Sequence, residues 1–287
     1  MSTLDASYDS CSEYTRLHAA NFHYAFRHLD FERRRGIHAL YAFCQHADGI
    51  VDGDSSPAEK QLRLNRLVAD LTDDTMTSGT EAAWLLPALR DTIIRFRLPR
   101  DLLLSFLEGM RMDLEQKEFE TFAQLKDYAW RVASVVGLLS IEIFGYCHDS
   151  VKTYAEQLGL ALQLTNIIRD VRPDAACQRI YLPREDLERF GVSSEDILNA
   201  RPTAAYQALM RFEADRAEEY YLATSDLLQE EDRRTMLPSE IMKNIYHQLL
   251  RKIRKRNFPL GENVVRLSRG TKLWITLRTR LLLLHRV

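Results

Sequence analysis

The chain has 287 residues, and its 39 Lys and Arg nearly balance 41 Asp and Glu, for a net charge of −2; nothing in that total points to nucleic acid or to an acidic ligand. With only 11 Gly and 8 Pro, about half the usual share, a β-sandwich is disfavoured and collagen-like or low-complexity sequence is excluded. A hydrophobic fraction of 46% against 28% charged supplies an ordinary globular core.

In chain order, the opening MSTLDASYDSCSEY has neither a basic n-region nor an apolar h-region, so no secretory signal is expected. Helical periodicity then dominates. Helices are predicted near 10–21, over 31–47 with Ile37, Leu40, Tyr41 and Cys44 on one stripe, and near 58–71, 81–97 and 100–117. Long helices follow over 121–146 and 149–171, the second with Tyr154, Leu158, Ala161, Leu162 and Thr165 on a wide face, then 203–229, 236–255 and 266–284. Breaks fall at GDSSP (53–57), TDDTMTSGT (72–80), RFGVSSED (189–196) and NFPLGEN (257–263). No alternating strand and no separating linker intervene, so the expectation is one all-α domain over 1–287. No run of about 18 apolar residues could span a membrane. Cys11, Cys44, Cys147 and Cys177 form no C-x-x-C pair and read as free thiols of a cytoplasmic protein.

The spacing D-x-x-x-D occurs at Asp5/Asp9, Asp48/Asp52, Asp70/Asp74 and Asp170/Asp174. Two carboxylates at i and i+4 share a helix face and repel, which costs little in solvent. Asp5/Asp9 in a polar N-terminal tail and Asp70/Asp74 at the edge of a Thr/Ser loop are assigned to solvent. The other two pairs end apolar helices, in the stripes Tyr41, Gln45, Asp48, Asp52 and Gln163, Asn166, Asp170, Asp174. Polar groups on a stripe that should be core need partners. Hard oxygen ligands suit Mg²⁺ with a phosphate completing the shell, so a diphosphate site between facing helices stands beside the plain reading of two solvated faces.

The segments NFHYAF (21–26), GIHALYAFCQHADGIVD (36–52), YAWRVASVVGLLSIEIFG (128–145) and QLTNIIRDVRPDAACQRIYLPREDLERFGV (163–192) resemble the squalene/phytoene synthase family over nearly the whole chain. The resemblance implies an all-α isoprenoid-synthase (terpenoid synthase) bundle around a central cavity, in which two prenyl diphosphates are joined head to head with Mg²⁺, or Mn²⁺ in its place. It implies metal-binding roles for Asp48, Asp52, Asp170 and Asp174 with Asn166, and catalytic roles for those aspartates with Tyr41 and Tyr128. Substrate contacts are implied for Asn21, Phe22, Gln163, Asn166, Arg169, Arg179 and Tyr246. NIYHQLLRKI and VRLSRGTKLWI are similar to the bacterial hopanoid branch, which implies farnesyl diphosphate as substrate, presqualene diphosphate as product and no use of NADPH.

Several positions depart from the family pattern. Gly49 replaces the middle carboxylate of the first motif, Gln45 an Arg, and Trp130 a Tyr, while Pro173 and Gln178 interrupt the second motif. Pro173 cannot donate to the carbonyl of Arg169, so a kink or helix end is expected there, with Asp174 misaimed. Phe22, Phe26, Tyr41, Leu138, Leu162 and Leu164 are candidate walls around a carbocation. Phytoene, dehydrosqualene or squalene synthesis on the same scaffold remains open, as does a catalytically silent assembly factor. The stretch 264–286 mixes Arg and Lys with Leu and Trp, as in a helix packed on a core or one touching a membrane surface. Oligomeric state is left open.

Overall fold

A computed structural model describes residues 3–18, 25–72, 81–115, 118–261 and 263–284. It is helical throughout, with no strand among the described residues and one isolated bridge between Glu118 and Ile180. The helices are α1 (Thr3–His18), α2 (Phe31–Asp52), α3 (Pro57–Thr72), α4 (Leu86–Phe96), α5 (Arg100–Glu115), α6 (Phe122–Ala129), α7 (Val135–Phe144) and α8 (Ser150–Ala176). After them come α9 (Arg184–Phe190), α10 (Ser194–Leu198), α11 (Ala204–Ala223), α12 (Glu230–Arg233), α13 (Leu237–Lys255) and α14 (Arg269–Leu284).

Local chemistry sets many of the ends. Asp30 caps α2 by accepting from the amide of Arg33, Thr121 and Thr203 cap α6 and α11 in the same way, and Ser193 with Asp196 forms a capping box on α10. Gly191 closes α9 in the left-handed region at φ 67°. The short helices α9, α10 and α12 carry too few turns for a legible period.

The predicted helix 121–146 is interrupted. Trp130–Ser134 form a π turn between α6 and α7, in which the amide of Val135 donates to the carbonyl of Trp130 five residues back. Two glycines hold this turn. A Cβ at Gly159 on α8 would lie 2.5 Å from the Cα of Ser134, and one at Gly109 on α5 would lie 2.7 Å from Val132 Cγ1. Only residues without a side chain let α5 and α8 close on the turn from two sides. Helix α8 packs against α7, α11 and α13, and its buried face runs from Val151 to Ala175.

The solvent assignment of Asp70 is corrected, and so is the reading of the N-terminal segment as a tail. Asp70 is 2% exposed; it shares the face of Leu64 and Leu67, one helical step on, and Arg90 donates to its carbonyl at 3.2 Å. Asp74 lies outside the described residues. Asp5 and Asp9 are in helix α1 rather than a tail; Asp9 is exposed, and Asp5 accepts from Arg35 on α2 at 2.8 Å.

Candidate active site

A cavity of about 620 Å³ opens between α2, α5, α7, α8 and α13, within the usual range for small-molecule sites. Helix α2 is buried along most of its length, yet Tyr41, Gln45, Asp48 and Asp52 all line the cavity. Helix α8 contributes Gln163, Asn166, Asp170 and Asp174 to the same cavity. In both helices the apolar lining precedes the carboxylates, through Cys44 on α2 and through Leu158 and Leu162 on α8. The cavity is therefore graded from aliphatic and aromatic at one end to acidic at the other.

The helix end expected at Pro173 does not occur, and Asp174 lines the cavity rather than being misaimed. Helix α8 runs on to Ala176 with Pro173 inside it; the proline leaves the Arg169 carbonyl without its intrahelical donor but does not end the helix. The Cys177 amide then donates to Asp174 at 2.9 Å, Gln178 turns through the left-handed region at φ 60°, and the Arg179 amide closes on the Asp174 carbonyl at 2.9 Å. That turn carries Arg179 back over the cavity, where its guanidinium donates to Asp52 of α2 at 3.0 Å. Arg169 forks onto the adjacent Asp170, with Nε donating to Oδ1 at 2.8 Å, and also hydrogen-bonds Tyr246 from α13. Tyr41 is hydrogen-bonded to Ser140 and meets Phe26 edge to face, ring centroids 4.8 Å apart.

The remaining motif aspartates form no arginine salt bridge among the described residues. Enclosure by the cavity pushes the Asp48 carboxyl up to about 7, reinforced by Asp52 and Asp113 and opposed by Arg179. Asp48 is open to the cavity space but surrounded by protein and other carboxylates, so its charge is poorly solvated. Asp174 is likewise raised to about 7 by enclosure, then by Asp170, with Arg179 and Arg169 opposing.

Asp113 on α5 is a cavity residue that the spacing argument missed. It accepts from Tyr128 at 2.8 Å and from Tyr181 at 2.6 Å, and those two rings stack at 5.4 Å. Enclosure raises its carboxyl even though both tyrosines stabilise the charged form. No second acid four residues away marks it, but Phe106, Met110 and Asp113, all lining residues, follow at the same steps of four and three as Tyr41, Gln45 and Asp48. Tyr181 lies in the YLP segment, to which the sequence pattern alone assigns no role. Of the predicted walls, Phe26, Tyr41 and Leu162 line the cavity, whereas Leu138 and Leu164 do not. Leu164 is buried on another face of α8. Asn21 and Phe22 lie outside the described residues. Tyr128, Arg169, Arg179 and Tyr246 all line the cavity.

The donor set fits a hard divalent cation. Every candidate ligand is an oxygen, and the Asn166 Oδ1 is buried without a hydrogen-bond partner, a costly arrangement unless something accepts its lone pair. Among the described residues no three His, Cys, Asp or Glu side chains converge into a closed cage. One or two carboxylates from each wall, with phosphate oxygens completing the shell, is the manner in which Mg²⁺ is bound.

The squalene/phytoene synthase family profile matches residues 15–271. The chain is 36% identical over 257 residues to the phytoene synthase of Mycobacterium tuberculosis, covering 88% of this chain and 84% of that one. In structure it is similar to a ligand-bound dehydrosqualene synthase, with TM-score 0.86 and 27% identity, covering 98% of this chain and 97% of that one. It is also similar to the squalene synthase HpnC of Alicyclobacillus acidocaldarius, with TM-score 0.76 and 27% identity, over 89% of this chain and 96% of that one.

Proposed function

The chain belongs to the squalene/phytoene synthase family of head-to-head prenyltransferases and has its all-helical isoprenoid-synthase fold, and from that premise we propose that it condenses two farnesyl diphosphates to presqualene diphosphate. The observation that carries a diphosphate chemistry is the meeting in one cavity of two acidic stripes, two arginines and a graded apolar wall. The branch assignment is supported by the likeness of NIYHQLLRKI and VRLSRGTKLWI to the hopanoid branch.

Arg169 and Arg179 hold diphosphate oxygens, exchanging their present partners Asp170 and Asp52 for phosphate. Asp48, Asp52, Asp170 and Asp174, with Asn166, would hold Mg²⁺, or Mn²⁺, which would supply Lewis-acid neutralisation of the diphosphate charge. Asp113 fixes the Tyr128 and Tyr181 hydroxyls by accepting both, so their ring faces keep one orientation along the wall. A ring face attracts an allylic cation, and Phe26, Phe144, Leu158 and Leu162 keep water from it. No hydride donor enters this scheme, so NADPH is not required.

The 36% identity to a phytoene synthase favours a second reading, coupling of two geranylgeranyl diphosphates. One experiment separates them: incubation with Mg²⁺ and either substrate, with and without NADPH, followed by product identification. A diphosphate-bearing cyclopropyl C30 product, unchanged by NADPH, is expected. Preferential phytoene formation supports the second reading, squalene with NADPH overturns the product assignment, and no product from either substrate points to the silent assembly factor that Gln45 and Gly49 would suit.

A further inference from the structure

We propose that the outer face of α14 is a docking surface for an anionic lipid bilayer, on which the protein lies without crossing. The helix buries its poorer side. Its inward face presents Ile275, Thr276 and Thr279 to the core, while Leu273, Trp274, Leu277 and Leu281 point outward, each 50–59% exposed. Leu273, Leu277 and Leu281 follow at steps of four, with Trp274 beside them, so they form one continuous stripe. A helix in water places its apolar residues the other way round, and a stripe of this kind on the outside marks a non-aqueous partner.

Charge identifies that partner. Arg269 and Arg280 border one edge of the stripe, and Arg278 borders the other, its guanidinium 5.3 Å from the Trp274 ring centroid. Six Lys and Arg and no acidic residue occur in 264–286, in a chain whose net charge is −2. An isologous contact with a second copy would set two such arrays against each other, whereas anionic headgroups neutralise them. Leucines in the acyl boundary, a Trp at headgroup level and arginines on both flanks are the features of an interfacial helix. Among the described residues no helix is long and apolar enough to cross a membrane.

The position adds a consequence. Helix α14 runs antiparallel along α13, with Asn244 donating to Thr279 at 3.0 Å and Lys252 donating to the Arg266 carbonyl at 2.6 Å. The cavity side of α13 carries Met242 and Tyr246, and Lys272 lies within electrostatic reach of the cavity residue Arg169. The proposed contact is thus one helix away from the cavity, although it stands or falls independently of what reaction occurs there.

The test is co-sedimentation of the full chain with vesicles of phosphatidylcholine alone and of phosphatidylcholine with an equal amount of phosphatidylglycerol. Binding to the anionic vesicles is expected, weakened by salt and reduced at least tenfold by Leu277→Glu with Leu281→Glu at unchanged helical content. Tryptophan emission should shift to the blue on the same vesicles and lose that shift in Trp274→Phe, a reading that does not depend on the double variant folding. The proposal is overturned if the wild-type chain stays in the supernatant, if the double variant binds as well, or if sedimentation without lipid shows a dimer that the double variant abolishes.

Discussion

Helix α2 and helix α8 each present two carboxylates one turn apart, yet only α8 brings arginines with them. Arg169 is beside Asp170, and Arg179 sits on the turn that ends the helix. The α2 wall is purely acidic and borrows its one neutralising contact, Arg179 on Asp52, from the other side. One motif thus yields two different surfaces. In the proposed function the α2 wall takes cations, and the α8 wall can take phosphate directly. The difference arises from the residues just C-terminal to each motif: α2 ends at Asp52 with its C-cap on Gly53, whereas α8 runs into a tight turn that folds a guanidinium back into the cavity.

The largest test of this comparison is the removal of one carboxylate from each wall. Asp48→Asn and Asp170→Asn should each lower kcat/KM by roughly 10³-fold or more, the scale of losing a main electrostatic stabiliser, with far-UV circular dichroism unchanged. Turnover with labelled prenyl diphosphate and Mg²⁺ checks this, and turnover surviving excess chelator contradicts a shared cation site. Arg179→Ala should cost roughly 10²-fold. In a double-mutant cycle with Asp52→Ala the two losses should be far from additive, because one contact joins the walls; additive losses would mean that the ion pair has no part in turnover.

The acidic crowding should also show in stability. Asp48 and Asp174 titrate near 7 in the fold, above the roughly 3.9 of an unfolded Asp. The folded chain then holds these protons more tightly than the unfolded one, so its stability is greatest below pH 4 on this account and declines as pH rises through 7. Melting of chelator-treated protein between pH 5 and 8 should show a falling Tm, flattened by Mg²⁺ with inorganic diphosphate; a Tm that rises over that range excludes the mechanism. The smallest effect belongs to the turn. Gln178 occupies φ 60°, which costs an L-residue about 1–2 kcal/mol, partly offset by the unfolded-state freedom a glycine adds. Gln178→Gly should raise stability by up to ~1 kcal/mol in denaturant melts.

The two stripes were legible because a helix repeats every 3.6 residues and each stripe ended in a D-x-x-x-D pair on an otherwise apolar helix. Position in the cavity followed from that pattern for Tyr41, Asp48 and Gln163, whereas Asp174, expected to be misaimed by Pro173, lines the cavity as well. Asp113 was not legible, since its partners are the hydroxyls of Tyr128 and Tyr181, 15 and 68 residues away, and no local spacing encodes them. Asp70 shows the converse failure: a pair with the right spacing at a loop edge suggested solvent, while the Leu64 and Leu67 face carried it inward. The π turn was missed for a simpler reason. One added residue leaves composition and periodicity nearly unchanged over a window of 26.

That added residue sets the phase of an entire wall. Each residue advances a helix by about 100°, so the extra one rotates α7 by that amount relative to α6. Val136, Gly137, Ser140, Ile141 and Phe144 face the cavity because of this rotation. Deleting a single residue from 130–134 would leave every side chain chemically the same and still turn this panel away, toward what is now packed core. The shape of the space available to a hydrocarbon chain is therefore written partly in a residue count, and Gly109 and Gly159 act as the detents that hold the count in register.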